Sequence, residues 1–329
     1  MNRRKFLSLA SAGIAAAASS VSVRAASADA AKGHPEAVGV LHDSTLCIGC
    51  RSCEAACQSV NSAILPKPEN YRVPEKPFYD RSVLAAKRQT DFQRFTVVNR
   101  YAVDGRRPVH RKFQCNHCVE PACASACFVK ALYKTPGGPV LYRSELCVGC
   151  RYCMVACPFF VPAYDYDNAW NPLIYKCTMC APRVADGQLP GCVSRCPEQA
   201  LIFGKRSELI KIAQARIKES PEKYVQHIYG EHEVGGTCWL YLSPVPHNIL
   251  DQPEVGDVSP SRLTSGILET AGMAAGILSV LLGAACFVSR RRGNDAVNEC
   301  GGGTETGAAR DTGGETHKEA SEDNKEGGQ

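Results

Sequence analysis

Sixteen of the nineteen cysteines fall into four quartets, and thiolates at these spacings bind metal. The first quartet is Cys47, Cys50, Cys53 and Cys57, in CIGCRSCEAAC. The second is Cys115, Cys118, Cys123 and Cys127, in CNHCVEPACASAC. Cys147, Cys150, Cys153 and Cys157 form the third, and Cys177, Cys180, Cys192 and Cys196 the fourth. Two quartets follow C-x2-C-x2-C-x3-C, in which three close cysteines hold one iron–sulfur cubane and the fourth reaches a second. Sixteen thiolates, four to each cubane, predict four 4Fe-4S clusters. Every quartet is complete, so no iron is left open for a substrate. The expected role is outer-sphere transfer of single electrons, with no catalytic residue in this chain. Zinc is the chemical alternative, in a structural or assembly subunit. A C-x2-C with a distant C-x3-C, as from Cys177 to Cys196, could hold it, but the dense runs are poor zinc frameworks.

Other reactive residues read as supporting or incidental. His117 sits between two cysteines and reads as a spacer that hydrogen-bonds a sulfur or faces water. Arg51, Arg151 and Arg195 lie beside quartets, where they either tune a cluster's potential by charge or are solvated. Cys238, Cys286 and Cys300 lie outside the quartets and are expected to be unligated. There is no phosphate loop, Ser–His–Asp set or paired-carboxylate site. The net charge is +5, while residues 293–329 carry nine acids and three bases, so the rest is basic. Those bases are scattered and form no aromatic-interleaved module, so no nucleic-acid partner is expected.

The elements that must hold the quartets are short. FTVVNRYAV, near 95–103, reads as a strand. The link between the second and third quartets, FVKALYKTPGGPVLYRSEL, reads as a hairpin turning at its Gly pair. ALIFG after Cys196 reads as a further strand. Pro158 and Pro197 follow the last cysteine of two quartets, whereas Gln58 and Phe128 follow the others, with a different local backbone expected. SELIKIAQARIKES, 207–220, is an amphipathic helix capped at Ser207. YGEHEVGGTCWLYLS suggests a strand pair. Lys87, Arg88, Arg94, Arg100, Arg106, Arg107, Arg111 and Lys112 read as a solvated basic surface, with partner docking as the alternative.

Both termini point to a membrane. Residues 1–28 contain Arg3 and Arg4 before a mildly apolar Ala- and Ser-rich stretch, the pattern of a twin-arginine export signal. That route carries folded proteins, so thiolates ligated inside the cell are protected from disulfide formation outside it. A transmembrane helix is expected over 263–290. Its apolar centre, 271–288, would span about 27 Å. Arg290, Arg291 and Arg292 follow, which places the C-terminus in the cytoplasm and the cysteines on the periplasmic face. Residues 291–329 read as a disordered tail.

The quartets in this order resemble the four-cluster iron–sulfur subunits of respiratory oxidoreductases, the formate dehydrogenase beta subunits and sulfur-compound reductase subunits among them. HDSTLCIGCRSCEAACQSVN, LCVGCRYCMVACPFFVPAYDYDN, LPGCVSRCPEQALIFGKRSEL, YGEHEVGGT and VPHNIL resemble the HybA-type branch, which serves hydrogenase-2. The resemblance implies an α+β fold over 29–262, with two pseudo-symmetric ferredoxin-like modules of two clusters each. It also implies the ligand sets. Cys47, Cys50, Cys53 and Cys196 would hold one cluster, and Cys177, Cys180, Cys192 and Cys57 its neighbour. Cys115, Cys118, Cys123 and Cys157 would hold a third, and Cys147, Cys150, Cys153 and Cys127 the fourth. The implied partners are the small and large subunits of a nickel–iron hydrogenase and an integral membrane quinone-reactive subunit. A molybdenum oxidoreductase is the alternative electron source.

Overall fold

The computed structural model describes residues 37–65, 77–105, 107–167 and 173–299. The expected export signal lies outside them, as does the tail from residue 300. In chain order the regular elements begin with β1 (Val38–Asp43), α1 (Ser52–Val60), β2 (Thr96–Tyr101) and β3 (Val109–Gln114). Next come α2 (Ala122–Ser125), β4 (Leu132–Lys134), β5 (Val140–Tyr142), α3 (Tyr152–Val155), β6 (Ala163–Tyr164) and β7 (Ile174–Tyr175). The chain continues through α4 (Ala181–Ala185), α5 (Gly191–Ser194), β8 (Leu201–Lys205), α6 (Arg206–Glu219), β9 (Trp239–Leu242) and α7 (Pro260–Glu299).

One three-stranded sheet organises the core. Its order is β8-β1-β9, with β1 antiparallel to β8 and parallel to β9. Side chains alternate between the faces of a strand. Leu41, Leu240 and Leu242 accordingly face α6, where Leu209, Ala213 and Ile217 recur every four residues and meet them. Val40, Trp239 and Tyr241 turn to the other face, against Cys115, Cys157, Cys192 and Met179. Each fully buried Leu contributes about 1.5–3 kcal/mol. This sheet therefore joins an apolar layer under α6 to a cysteine-lined layer on its far side. Three hairpins, β2–β3, β4–β5 and β6–β7, frame the cysteine turns. The β4–β5 hairpin turns through Gly137 and Gly138, as its sequence predicts.

Backbone conformation repeats across the quartets. Gly49 and Arg51 in the first have φ of 67° and 64°, and Gly149 and Arg151 in the third have 69° and 61°. The second and fourth share a left-handed residue before their second cysteine, His117 at 48° and Met179 at 54°. Three residues after the closing cysteine, Lys130, Phe160 and Gln199 are left-handed as well. The first quartet departs from this rule, because α1 runs on through Cys57 to Val60. Helices usually stop before a residue that precedes proline. Pro158 and Pro197 end the turns of the third and fourth quartets, and Gln58 imposes no such stop.

Four expectations require correction. The 207–220 helix starts at Arg206, and its N-cap is Lys205, with no side-chain cap. Strand β8 runs directly into the helix, so the backbone does the capping: the Arg206 N–H donates to the Ala37 carbonyl at 2.8 Å. The expected strand pair in YGEHEVGGTCWLYLS is reduced to one antiparallel bridge, Tyr229 to Tyr241, while the strand itself, β9, pairs along its length with the distant β1. All four of its residues are buried, which a local two-stranded ribbon could not achieve. The basic surface is only partly solvated, since Arg111 is 4% exposed and Lys112 is 2% exposed. Residues 291–299, expected in a disordered tail, continue α7, because extending a formed helix is far easier than starting one.

Contacts divide the chain into Met1–Leu268 and Glu269–Gln329. In the first unit, Arg262, near the start of α7, donates to the Glu120 carboxylate, and the Ser259 hydroxyl donates to the Glu120 carbonyl at 2.9 Å. In the second, Ile277, Leu278, Val280, Leu281, Leu282 and Phe287 are exposed along α7. Among the described residues no helix is long and apolar enough to cross a membrane. The expected span at 263–290 includes side chains outside that set.

Candidate metal centre

Two cavities are each lined by cysteines from two quartets. Cys47, Cys50 and Cys53 line one cavity with Cys196. Cys177, Cys180 and Cys192 line a second with Cys57. Burial raises the Cys118 thiol well above its usual value, and the neighbouring Cys115, Cys123 and Cys157 add to the rise. Burial likewise pushes Cys153 up to about 12, followed by Cys147, Cys127 and Cys150.

The exchange between quartets has a local cause. Residues four apart lie on one helical face, one turn from each other. Cys53 and Cys57 stand so on α1; the first lines one cavity and the second the other. Cys192 and Cys196 repeat this in the opposite sense around α5. Helices α1 and α5 approach closely. A Cβ on Gly191 would lie 2.8 Å from Val60 Cγ2 and 3.3 Å from the Ala56 carbonyl. Gly49 is equally constrained, by its left-handed backbone and by the His110 ring, 2.3 Å from where its Cβ would stand.

A buried ionic clamp holds α1. The Glu54 carboxylate accepts from Arg51 at 3.1 and 2.9 Å, from Arg88 at 3.1 and 2.5 Å, and from the Val98 N–H at 2.6 Å. Arg51 is therefore buried and ion-paired, whereas Arg151 lies exposed against Tyr164 and Tyr166, and Arg195 is exposed. Cys238 is buried outside the rings, and Cys286 is exposed on α7. Cys300 lies outside the described residues.

Sequence reasoning missed three groups at the rings. Lys112 lines both the first and second cavities. His42 lines the first with neither ring nitrogen hydrogen-bonded, and burial drives its imidazole down to about 3. Trp239 lines the second with its Nε1 unpartnered. The position of Lys112, three residues before Cys115 in a strand that enters the cysteine turn, was the available signal. His117 does not face water. It is fully buried, its Nδ1 accepts from the Val140 N–H at 2.9 Å, and its Nε2 has no partner. Burial, then Lys176, Lys134 and Lys112, hold its imidazole neutral.

This donor set fits a sulfur-rich polynuclear group. An unpaired buried N–H costs about 1–3 kcal/mol, and a sulfide at the cavity centre would accept from it. Among the described residues, no three His, Cys, Asp or Glu side chains converge tightly enough for a single metal ion. Four thiolates lining one cavity suit a cubane, in which each sulfur meets a different iron.

A protein with cysteine rings of this kind is an iron–sulfur protein, and residues 110–206 match the 4Fe-4S dicluster domain family. The chain carries multiple 4Fe-4S clusters. A protein of Nitratidesulfovibrio vulgaris (strain Hildenborough) is 50% identical over 91% of this chain and 80% of its own length. The hydrogenase-2 operon protein HybA of Escherichia coli O157:H7 is 38% identical over 90% of this chain and 97% of its own. The formate dehydrogenase-O iron-sulfur subunit of Escherichia coli K12 is 33% identical over 69% and 75%. The chain belongs to the HybA family of iron–sulfur electron-transfer subunits, with formate dehydrogenase iron–sulfur subunits as relatives.

Proposed function

We propose that this chain relays electrons between a periplasmic nickel–iron hydrogenase and an integral membrane subunit that reacts with quinone, and that it catalyses no reaction itself. The observation that carries this reading is the pair of cavities, each lined by four cysteines drawn from two quartets. Cys47, Cys50, Cys53 and Cys196 hold one cluster, and Cys57, Cys177, Cys180 and Cys192 a second. Cys115, Cys118, Cys123 and Cys157 hold the third, and Cys127, Cys147, Cys150 and Cys153 the fourth. A bound 4Fe-4S cluster supplies reversible one-electron exchange. The chain's own residues fix its place, exclude water from it and surround it with charge.

The export signal expected at 1–28 and the exposed apolar side chains of α7, followed by Arg290, support placement on the periplasmic face, with residues 263–290 as the single membrane span. The likeness to formate dehydrogenase subunits supports a second reading, the same relay for a molybdenum enzyme. Iron and acid-labile sulfide analysis, with affinity purification of the full-length chain from membranes, tests both. Sixteen irons per chain and a co-purifying hydrogenase are expected. Recovery of a molybdenum enzyme without hydrogenase selects the second reading, and bound zinc with little iron overturns both. Cys196→Ser tests the ring assignment: it should perturb the same spectroscopic cluster as Cys50→Ser and leave the one perturbed by Cys180→Ser.

A further inference from the structure

Lys112 carries a charge that no carboxylate of the described residues answers. Its Nζ donates to two neutral oxygens, Thr96 Oγ1 at 2.7 Å and Gln114 Oε1 at 3.0 Å. It stands 4.5 Å from the centre of the Trp239 ring. Burial alone would strip the proton from such an ammonium. Cysteines of both rings surround it, Cys53 in the first cavity and Cys57, Cys177 and Cys192 in the second. These four cysteines belong to two different rings, and Lys112 lines both.

The other lysines near the rings are placed differently. Lys134 donates to the His117 and Cys118 carbonyls at 3.2 and 2.8 Å. Lys176 donates to the Val140 and Cys177 carbonyls. Backbone dipoles take up those two charges. Lys112 has only two side-chain oxygens and an aromatic face, so most of its field is left for the two cavities. A fixed positive charge stabilises whichever redox state of a neighbouring group is the more negative, and low-dielectric surroundings strengthen the effect.

We infer that Lys112 is a shared positive counter-charge for the two clusters ringed by Cys47, Cys50, Cys53 and Cys196 and by Cys57, Cys177, Cys180 and Cys192, raising the reduction potential of both together. This rests on the reading that both rings hold clusters. One residue then offsets two stations of the relay together, because any change in its charge moves both.

The test uses the full-length protein and the variants Lys112→Met, Lys112→Arg and Gln114→Glu. Iron and sulfide content is measured first. A native protein without clusters in these rings refutes the underlying reading, independently of Lys112. Potentials are then read by redox titration followed by electron paramagnetic resonance. With Lys112→Met, the reduced-to-oxidised ratio of two of the four couples should fall at least tenfold at fixed ambient potential, about 59 mV for one electron. The other two couples should stay in place, and Lys112→Arg should retain native values. Gln114→Glu sets a carboxylate beside the ammonium without emptying the site and should shift the same two couples in the same direction. If Lys112→Met does not hold iron, Gln114→Glu decides the matter. Four unmoved couples, or four that move alike, overturn the inference.

Discussion

Replacing Glu54 with alanine should loosen two rings at once. Glu54 is 3% exposed and accepts from Arg51, Arg88 and the Val98 N–H. Arg88 is 15% exposed at its side chain and has no second carboxylate among the described residues. Removing one partner of a buried ion pair costs about 3–5 kcal/mol, because the other charge stays buried. The orphaned Val98 N–H adds about 1–3 kcal/mol where water does not reach it. Taking about 4 kcal/mol as the sum after partial relaxation, the folded-to-unfolded ratio falls by nearly three powers of ten at ~1.4 kcal/mol per tenfold. That is a large share of the ~5–15 kcal/mol that holds a typical domain together. Helix α1 carries Cys53 and Cys57, which line different cavities, so both rings should lose iron in one step. Urea titration of the cluster-loaded protein, followed by tryptophan fluorescence and visible absorbance, reads stability and iron loss together. Glu54→Gln keeps the shape without the charge and should fall between native and alanine. A destabilisation below about 1 kcal/mol in Glu54→Ala, with the two rings releasing iron independently, would refute the reasoning.

Other perturbations probe separate parts of the molecule. Leu209→Ala empties the layer between α6 and the sheet and should lower stability by about 2–5 kcal/mol in the same urea assay, with cluster potentials unchanged. Gly49→Ala forces a side chain into left-handed backbone against His110 and should cost about 1–3 kcal/mol, read as early iron release from the first ring during denaturation. Burial holds the His247 imidazole below its ordinary value, against the opposing hydrogen bonds to Gln252 and the His227 carbonyl. The fold therefore favours neutral His247, and its contribution is whole above about pH 6.5 and declines as pH falls below that. Urea midpoints between pH 7.5 and 5.5 should drop less steeply in His247→Gln than in the native chain; equal slopes would count against this account.

The quartets were legible because metal-ligand spacing is a local property of the chain. The hairpin at Gly137 and Gly138 and the strand at Thr96–Tyr101 were legible for the same reason. Features that depend on distant partners were not. Strand β9 looks like half of a local ribbon, yet it pairs with β1 almost two hundred residues earlier. Lys112 reads as one more base on a polar strand until Trp239 folds over it. Ser207 carries the signature of a helix cap, but β8 runs on to Lys205 and leaves that place to the backbone. The assignment of cysteines to rings came from resemblance; the structure adds one local feature, the one-turn offset of Cys53 from Cys57 on α1, which line different cavities.

On the proposed ligand sets the first quartet pairs with the fourth and the second with the third, which nests one closure inside another and sets a timetable for synthesis. The inner two rings have all their thiolates once Cys157 has left the ribosome. The outer two wait for Cys192 and Cys196, about 2–8 s later at roughly 5–20 residues per second. During that interval Cys47, Cys50, Cys53 and Cys57 are already made but cannot close a ring among themselves, since each outer ring needs sulfur from near the end of the cysteine region. The oldest thiols in the chain are thus the last to be sealed. A chain interrupted between residues 157 and 177 would hold a finished inner pair beside four open cysteines, a species that oxidation or stray metal would reach first.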